Sequence, residues 1–404
     1  MMSAPRRTWA FAALLASLSM LGPFAIDAYL PAFPAIAKEF GAAPLAVQQT
    51  LSAYLFAYAF MMLWHGALSD ALGRRPVVLG GLAVYAVATL GCAIAGNIES
   101  LWLFRALQGV SAGTGLVVAR AIVRDTFQGA EAQKLMSQIT LVFGIAPAIA
   151  PVMGGVLLDL YGWRTIFWAL FVLVTAMLAW AARSLPETHP PGARVSLRPV
   201  TMARSYRNVL TRIDFLLLAL VPTLNFSAFF LYIAVAPAFI IDLLGLTPRS
   251  FGWLFIPMIS GVMIGATISG HLAGRWSTTR TVHLGYGVMF AGVAGNILVC
   301  LLLAPGVPSN VLPIMLFAVG SSIVMPSVTL LILDLFPATR GLASSLQGFV
   351  QFAVSGLNAG TVAPFLAGSL HALAYGMAGF TMASFVLWRF YVFRTRLSSK
   401  GCSP

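Results

Sequence analysis

The sequence predicts an all-α membrane protein. Twelve transmembrane helices form two pseudo-symmetric six-helix halves, with both termini cytoplasmic. Three observations carry this. Of 404 residues, 59% are apolar and only 9% are charged, with a mean hydropathy of +0.90; a soluble domain carries about 25% charged residues. The apolar residues form solid runs near the ~20 that a span needs. A membrane β-barrel would instead alternate in pieces of about ten residues. Third, the net charge of +13 is placed on one side of the predicted spans. On the twelve-span reading, all but four of the 24 Lys and Arg fall at cytoplasmic loops, tails and helix ends. That is the positive-inside pattern. The four are Lys38, Arg164 and Arg249 on the outer side and Arg105 within a span. Such a basic face meets anionic lipid and does not indicate nucleic acid.

In chain order the spans fall at 9–34, 45–65, 76–96, 101–121, 135–158, 164–185, 214–241, 250–272, 282–304, 311–333, 342–367 and 374–394. The first follows Arg6-Arg7, as a signal peptide would. It runs on into Asp27 and two prolines without a small-residue cleavage site, so it reads as a retained span. Connections are short except at 186–213, which is Pro-rich and then carries Arg194, Arg198, Arg204, Arg207 and Arg212. The domain reading is an N-terminal half at 1–185, a basic cytoplasmic linker at 186–213, and a C-terminal half with a short tail at 214–404.

The halves read as diverged repeats. Pro31-Ala-Phe33 in span 1 recurs as Pro237-Ala-Phe239 in span 7. Gly66-Ala-Leu-Ser-Asp-Ala-Leu-Gly-Arg-Arg75 after span 2 has a degraded echo, Gly270-His-Leu-Ala-Gly-Arg275, after span 8. Ala150-Pro151 in span 5 recurs as Ala363-Pro364 in span 11. Duplicated halves with a site at their interface are how secondary transporters are built.

Asp27 is the residue around which a function can be argued. A charge inside a span costs at least about 2.5 kcal/mol, so an intramembrane acid is a functional candidate. Pro31 and Pro34 cannot donate backbone hydrogen bonds and loosen the helix just beyond it. The competing reading is an acid near the outer headgroups, solvated and inert. The corresponding position of the second half is Ile233, so the acid belongs to one half only. Arg105, in span 4, must have its buried charge compensated. Gln108 stands one turn on, placed to accept from it; the bland alternative is an arginine snorkelling outward.

Other motifs weigh less alone. Gly66, Asp70, Gly73, Arg74 and Arg75 mark a tight basic loop whose charges can pair across it. Gly109-Val-Ser-Ala-Gly113 matches a hydrolase elbow, but that motif needs a strand-to-helix turn, and here it lies in a helical run. Its glycines read as close-packing positions, as do Gly261/Gly265, Gly270/Gly274 and Gly356/Gly360. Gly144, Pro147, Pro151, Gly154 and Gly155 predict a bent span 5 with a smooth face. Tyr29, Tyr54, Tyr58, Gln108, Asn225, Phe226, Phe229, Tyr232, Gln347 and Gln351 are candidates for an aromatic substrate cavity with few polar anchors. Cys92, Cys300 and Cys402 define no disulfide framework. His65, His189, His271, His283 and His371 have no metal-ligand spacing, so no metal is expected. The three lysines, Lys38, Lys134 and Lys400, do not follow a phosphate-cradling glycine loop.

Taken together, G-x-L-x-D-x-x-G-R-R at Gly66–Arg75 and R-x-x-x-G at Arg105 resemble the signatures of the major facilitator superfamily. The Gly144–Gly155 stretch resembles its antiporter signature, with Ala146 where the pattern usually has Gly. D-x-Y-L-P-A-x-P at Asp27 resembles the bicyclomycin-resistance branch (Bcr/CflA) of the drug:proton antiporters (DHA1). The resemblance spans nearly the whole chain. It implies a bacterial inner-membrane carrier that works as a monomer and is driven by the proton gradient, without cofactor. It implies that Asp27 is the protonation site and Arg105 its electrostatic partner, and that the Gly66–Arg75 loop is a cytoplasmic latch between the halves. Some relatives have a second acid two turns earlier, where this chain has Ser19. The expected function is export of small amphipathic drugs by alternating access. The alternatives are proton-coupled export of a native metabolite (sugar, amino acid or nucleoside) and, more distantly, a receptor that does not transport. An enzyme is not expected, since no catalytic pair is present.

Overall fold

The computed structural model describes residues 5–127, 129–194, 199–337 and 339–400. Cys402 and Arg198 lie outside the described residues. Twelve helices among them are long and apolar enough to cross a membrane, and none of the described residues forms a strand. This is the fold class expected from the sequence.

The helices are α1 (Pro5–Asp27), α2 (Phe33–Phe40), α3 (Pro44–Leu72), α4 (Arg74–Ala93), α5 (Ile98–Thr126), α6 (Gly129–Tyr161), α7 (Arg164–Ser184), α8 (Pro199–Leu210), α9 (Ile213–Ala234), α10 (Gly252–Leu272), α11 (Thr278–Leu302), α12 (Leu312–Leu335), α13 (Arg340–Leu357), α14 (Ala363–Leu366) and α15 (Leu370–Lys400). They cluster into two compact units. The first is Met1–Leu197 with Thr247–Gly252; the second is Arg198–Leu246 with Trp253–Pro404.

In the first unit α5 is central, packing against α1, α3 and α4, while α6 packs along α1. Missing side chains allow this. A β-carbon built on Gly115 of α5 would overlap the Leu18 carbonyl oxygen of α1, and one on Gly109 would overlap the Tyr54 carbonyl oxygen of α3. Gly109–Gly113 lies within the unbroken α5, which removes the elbow reading. In the second unit α9 packs against α12, α13 and α15, and α11 lies along α12. Gly261 and Gly265 let α10 approach the Met315 and Val319 carbonyls of α12. The Gly270/Gly274 reading does not hold. Nothing lies near Gly270, and Gly274 turns the chain with φ +75°, a conformation that favours glycine for its missing Cβ.

Prolines mark two equivalent interruptions. α1 ends at Asp27, a 3-10 turn covers Leu30–Ala32, and α2 resumes at Phe33. α9 ends at Ala234, and a wide π turn covers Ala238–Leu243 after Pro237. The repeated Pro-Ala-Phe thus follows a break in the first long helix of each half. The Ala-Pro repeat is less alike locally. α6 stays helical through Pro147 and Pro151, whereas a π turn at Asn358–Val362 separates α13 from α14.

Filling a close approach is expected to be costly. Gly265→Val places a branched side chain on the Val319 carbonyl, and overpacking of this kind costs about 1–3 kcal/mol. The thermal midpoint of the purified protein falls if the approach is real; an unchanged midpoint contradicts it.

Candidate functional site

The site begins where α1 stops. Asp27 is the last residue of α1 and only 3% exposed. It takes part in none of the side-chain hydrogen bonds or ion pairs of the described residues. The burial removes the reading of a solvated acid. Ser19, two turns earlier, is also buried, and its hydroxyl donates to the Leu15 carbonyl (2.9 Å).

Arg105 on α5 is fully buried, so it does not snorkel. Its guanidinium lies between two aromatic faces, 4.1 Å from the Tyr29 ring centroid and 4.3 Å from that of Tyr54. Its Nη1 donates to Gln108 Oε1 and to the Ala25 carbonyl oxygen (3.4 Å). No carboxylate among the described residues pairs with it. The expected Asp27–Arg105 pair is therefore not formed. Helix geometry gives the reason. The Ala25 carbonyl and the Tyr29 ring both meet Arg105, and on a helix the residue two positions from Tyr29 points about 200° away. Arg105 instead holds the chain on both sides of the acid, through Ala25 before it and Tyr29 after it. The cation–π contacts contribute about 2 kcal/mol or more each when desolvated.

A polar shell fixes this arrangement. Tyr54 Oη donates to the Gly22 carbonyl (2.9 Å), and Tyr29 Oη is 3.0 Å from Thr50 Oγ1. Gln108 Nε2 donates to Thr89 Oγ1 (2.8 Å). Tyr58 stacks beside Tyr54, with centroids 6.1 Å apart. So Tyr29, Tyr54, Tyr58 and Gln108, candidates for a substrate cavity, are at most 1% exposed and lie inside the first unit as braces. In the second unit Tyr232 is likewise interior and accepts from Asn296 Nδ2 (2.6 Å). Asn225 is buried, Phe226 half-buried, and Phe229 retains 8% exposure. Gln347 donates to Thr329 Oγ1 (3.0 Å), and Gln351 keeps 9% exposure.

The Gly66–Arg75 stretch, expected as a loop, is helical at Gly66–Leu72 and again from Arg74, with Gly73 alone turning the chain, and it carries a charge network. Arg74 pairs with Asp70 on one side and Asp125 of α5 on the other (2.9 Å). Its backbone N–H donates to Glu187 Oε1 (2.9 Å), an acid at the N-terminus of α4 where the helix dipole favours negative charge. Arg194 reaches the same carboxylate at 3.9 Å. Gly73 has φ +101°, and a β-carbon there would overlap the Glu187 carboxylate. Arg75 donates to the Ala182 carbonyl (2.8 Å). Gly66 has only Val117 near, so no close contact demands a glycine. Sequence reasoning missed Asp125 and Glu187. Their signal was scarcity: the chain has 11 acids, and these two stand on its basic side.

On α6, Gly154 meets the carbonyl of Ala28, the residue after Asp27, and Gly155 meets that of Pro248. Gly144 has open space around it. His65 is buried, with Nε2 2.8 Å from Thr114 Oγ1. No group of three metal-ligating side chains occurs among the described residues.

Residues 14–359 match the family described as Major Facilitator Superfamily. A bicyclomycin resistance protein homolog of Haemophilus influenzae is 27% identical over 400 residues, 99% of this chain and 100% of that protein. An uncharacterized MFS-type transporter, YdgK, of Bacillus subtilis is 32% identical over 84% of this chain and 85% of its own length. Multidrug resistance protein D of Escherichia coli is 28% identical over 85% of this chain and 86% of its own. Among solved structures, an inward-facing, occupied bacterial homolog of the human lysosomal transporter Spinster aligns with a TM-score of 0.76 at 14% identity, covering 98% of both chains. A D-xylose-proton symporter aligns at 0.71 and 14% identity, covering 95% of this chain and 97% of that one. These two likenesses concern the fold.

Arg105→Lys keeps the charge but not the plane that stacks on two rings. The variant is expected to melt lower than the wild type, by an amount that Tyr29→Leu does not add to. Additive losses for the double variant contradict the stacked arrangement.

Proposed function

This chain belongs to the Major Facilitator Superfamily, so it is a multi-pass membrane transporter of small molecules and not an enzyme, and we propose that it exports amphipathic drugs in exchange for protons. The names of its relatives, for bicyclomycin resistance and multidrug resistance, support the drug as cargo. They agree with the branch to which the residues around Asp27 belong.

The observation that carries the proton half is Asp27, buried at 3% exposure and without a partner among the described residues. A lone carboxylate out of water costs several kcal/mol, which binding a proton removes. Asp27 is the proton carrier of the cycle. Arg105 is a positioning residue rather than an ion-pair partner. It holds Ala25 and Tyr29, so the acid sits on a turn whose backbone is fixed on both sides. Substrate from the cytoplasm or inner leaflet favours the deprotonated carrier, and a proton from outside displaces it. One proton moving inward down 100 mV supplies about 2.3 kcal/mol, with the pH difference in addition.

Alternating access between the two halves then moves the cargo. The Gly66–Arg75 stretch at the α3–α4 turn, with Asp125 and Glu187, latches the cytoplasmic side. Phe226, Phe229, Gln347 and Gln351 of the second unit offer the aromatic and amide groups of a drug pocket, whereas Asn225, at 1% exposure, is interior. No cofactor is needed, a single chain is the working unit, and the bacterial inner membrane is the site of action.

Asp27→Asn is expected to insert normally and to abolish proton-coupled efflux, because the amide cannot exchange a proton. It is read as drug-induced proton release by purified protein, and as resistance in a strain lacking its own pumps. Normal release by Asp27→Asn would overturn the proposal.

A further inference from the structure

A short segment between α9 and α10 is folded onto α6 in the first unit. Thr247–Gly252 belongs to that unit, although the residues on either side of it belong to the second. The segment is one tight 3-10 turn, with the Ser250 N–H donating to the Thr247 carbonyl (2.9 Å). Phe251 is fully buried and seats it. The Pro248 carbonyl lies where a β-carbon of residue 155 would be, so only glycine admits it. Arg249 Nη2 pairs with Asp159. Gly155 and Asp159 are four apart and share one face of α6. Successive residues of the turn therefore meet successive turns of the helix.

The neighbouring residue of α6 points elsewhere. Gly154 meets the carbonyl of Ala28, directly after Asp27. The last turns of α6 thus touch the acid-bearing break through Gly154 and the docked turn through Gly155.

We propose that Asp159 and Arg249 are positioning residues of the transport cycle, a clamp that holds Thr247–Gly252 on α6 and lets go when that end of the carrier opens. The sequence reading places this end outside the membrane. The proposal rests on the alternating-access reading above and adds residues that no signature of the sequence singles out. The Arg249 and Asp159 side chains are 58% and 46% exposed, and ion pairs this open to water are weak. Weakness suits a contact made and broken once per cycle. Phe251 seats the turn, and the pair sets how often it lifts.

The test is amide hydrogen exchange in the purified full-length protein, with no substrate added. Asp159→Asn and Arg249→Gln each raise exchange across 247–252 by about 1.5- to 5-fold, the range of a half-exposed ion pair. The exchanged pair, Asp159→Arg with Arg249→Asp, restores protection. Gly155→Ala, which crowds the Pro248 carbonyl, raises exchange in the same segment. In ethidium efflux from proteoliposomes the single variants change the maximal rate and leave KM in place, and the exchanged pair recovers the rate. Unchanged exchange in both single variants, or an exchanged pair no better than either, overturns the clamp. This readout needs neither drug nor proton gradient. A failure of proton coupling at Asp27 would leave it standing, and a failure of the clamp would leave Asp27 untouched.

Discussion

A charge has no cheap place inside an apolar helix bundle, and the first unit is arranged around two of them. Arg105 cannot shed its proton, so its surroundings must solvate it. Its neighbours are two tyrosine faces, a glutamine and a backbone carbonyl, with no carboxylate among the described residues, and its Nε and Nη2 make no hydrogen bond there. Asp27 is thereby left unpaired among the described residues. A permanent ion pair would have neutralised both and left nothing for a proton to do. Surrounding the arginine with neutral groups preserves an acid whose charge can be cancelled by one proton.

The same economy explains the helix break. α1 ends at Asp27, and the prolines that follow prevent an immediate restart. A broken helix has free backbone groups that a continuous one lacks. One of them, the Ala28 carbonyl, fits over Gly154 of α6, and another, the Ala25 carbonyl, accepts from Arg105. The acid therefore sits on a short piece of chain gripped from two helices. A change in its charge acts on backbone that is already in contact with α5 and α6. The charged loop at Arg74 uses the other strategy. It stands among residues with more access to water, where opposite charges pair directly at modest cost, and five charged groups converge.

Much of the fold was legible because spans and loop charge are one-dimensional properties. Solid apolar runs and the position of Asp27 and Arg105 within them follow from composition along the chain. What the sequence hid is angular and long-range. Ala25 and Asp27 are neighbours in sequence but face apart, so the Asp27–Arg105 pair looked natural and is not made. Tyr54, Tyr58 and Gln108 looked like cavity residues, yet Tyr54 and Gln108 bond groups within the first unit and Tyr58 stacks on Tyr54. Glu187 meets Arg74 across a large separation in sequence, which no local pattern reveals. Gly154 and Gly155 stood out as a pair, but only the structure shows that one serves the acid-bearing turn and the other the docked Thr247–Gly252 segment.

Whether Asp27 is protonated before cargo binds, and ionised after, is the question on which this account turns. Infrared difference spectroscopy of the purified wild-type protein, recorded as ethidium is added, reads it directly. The account predicts loss of one protonated-carboxyl band and gain of a carboxylate band, both absent from Asp27→Asn. A spectrum in which the protonated-carboxyl region does not change on binding, while ethidium is still exported, would contradict it.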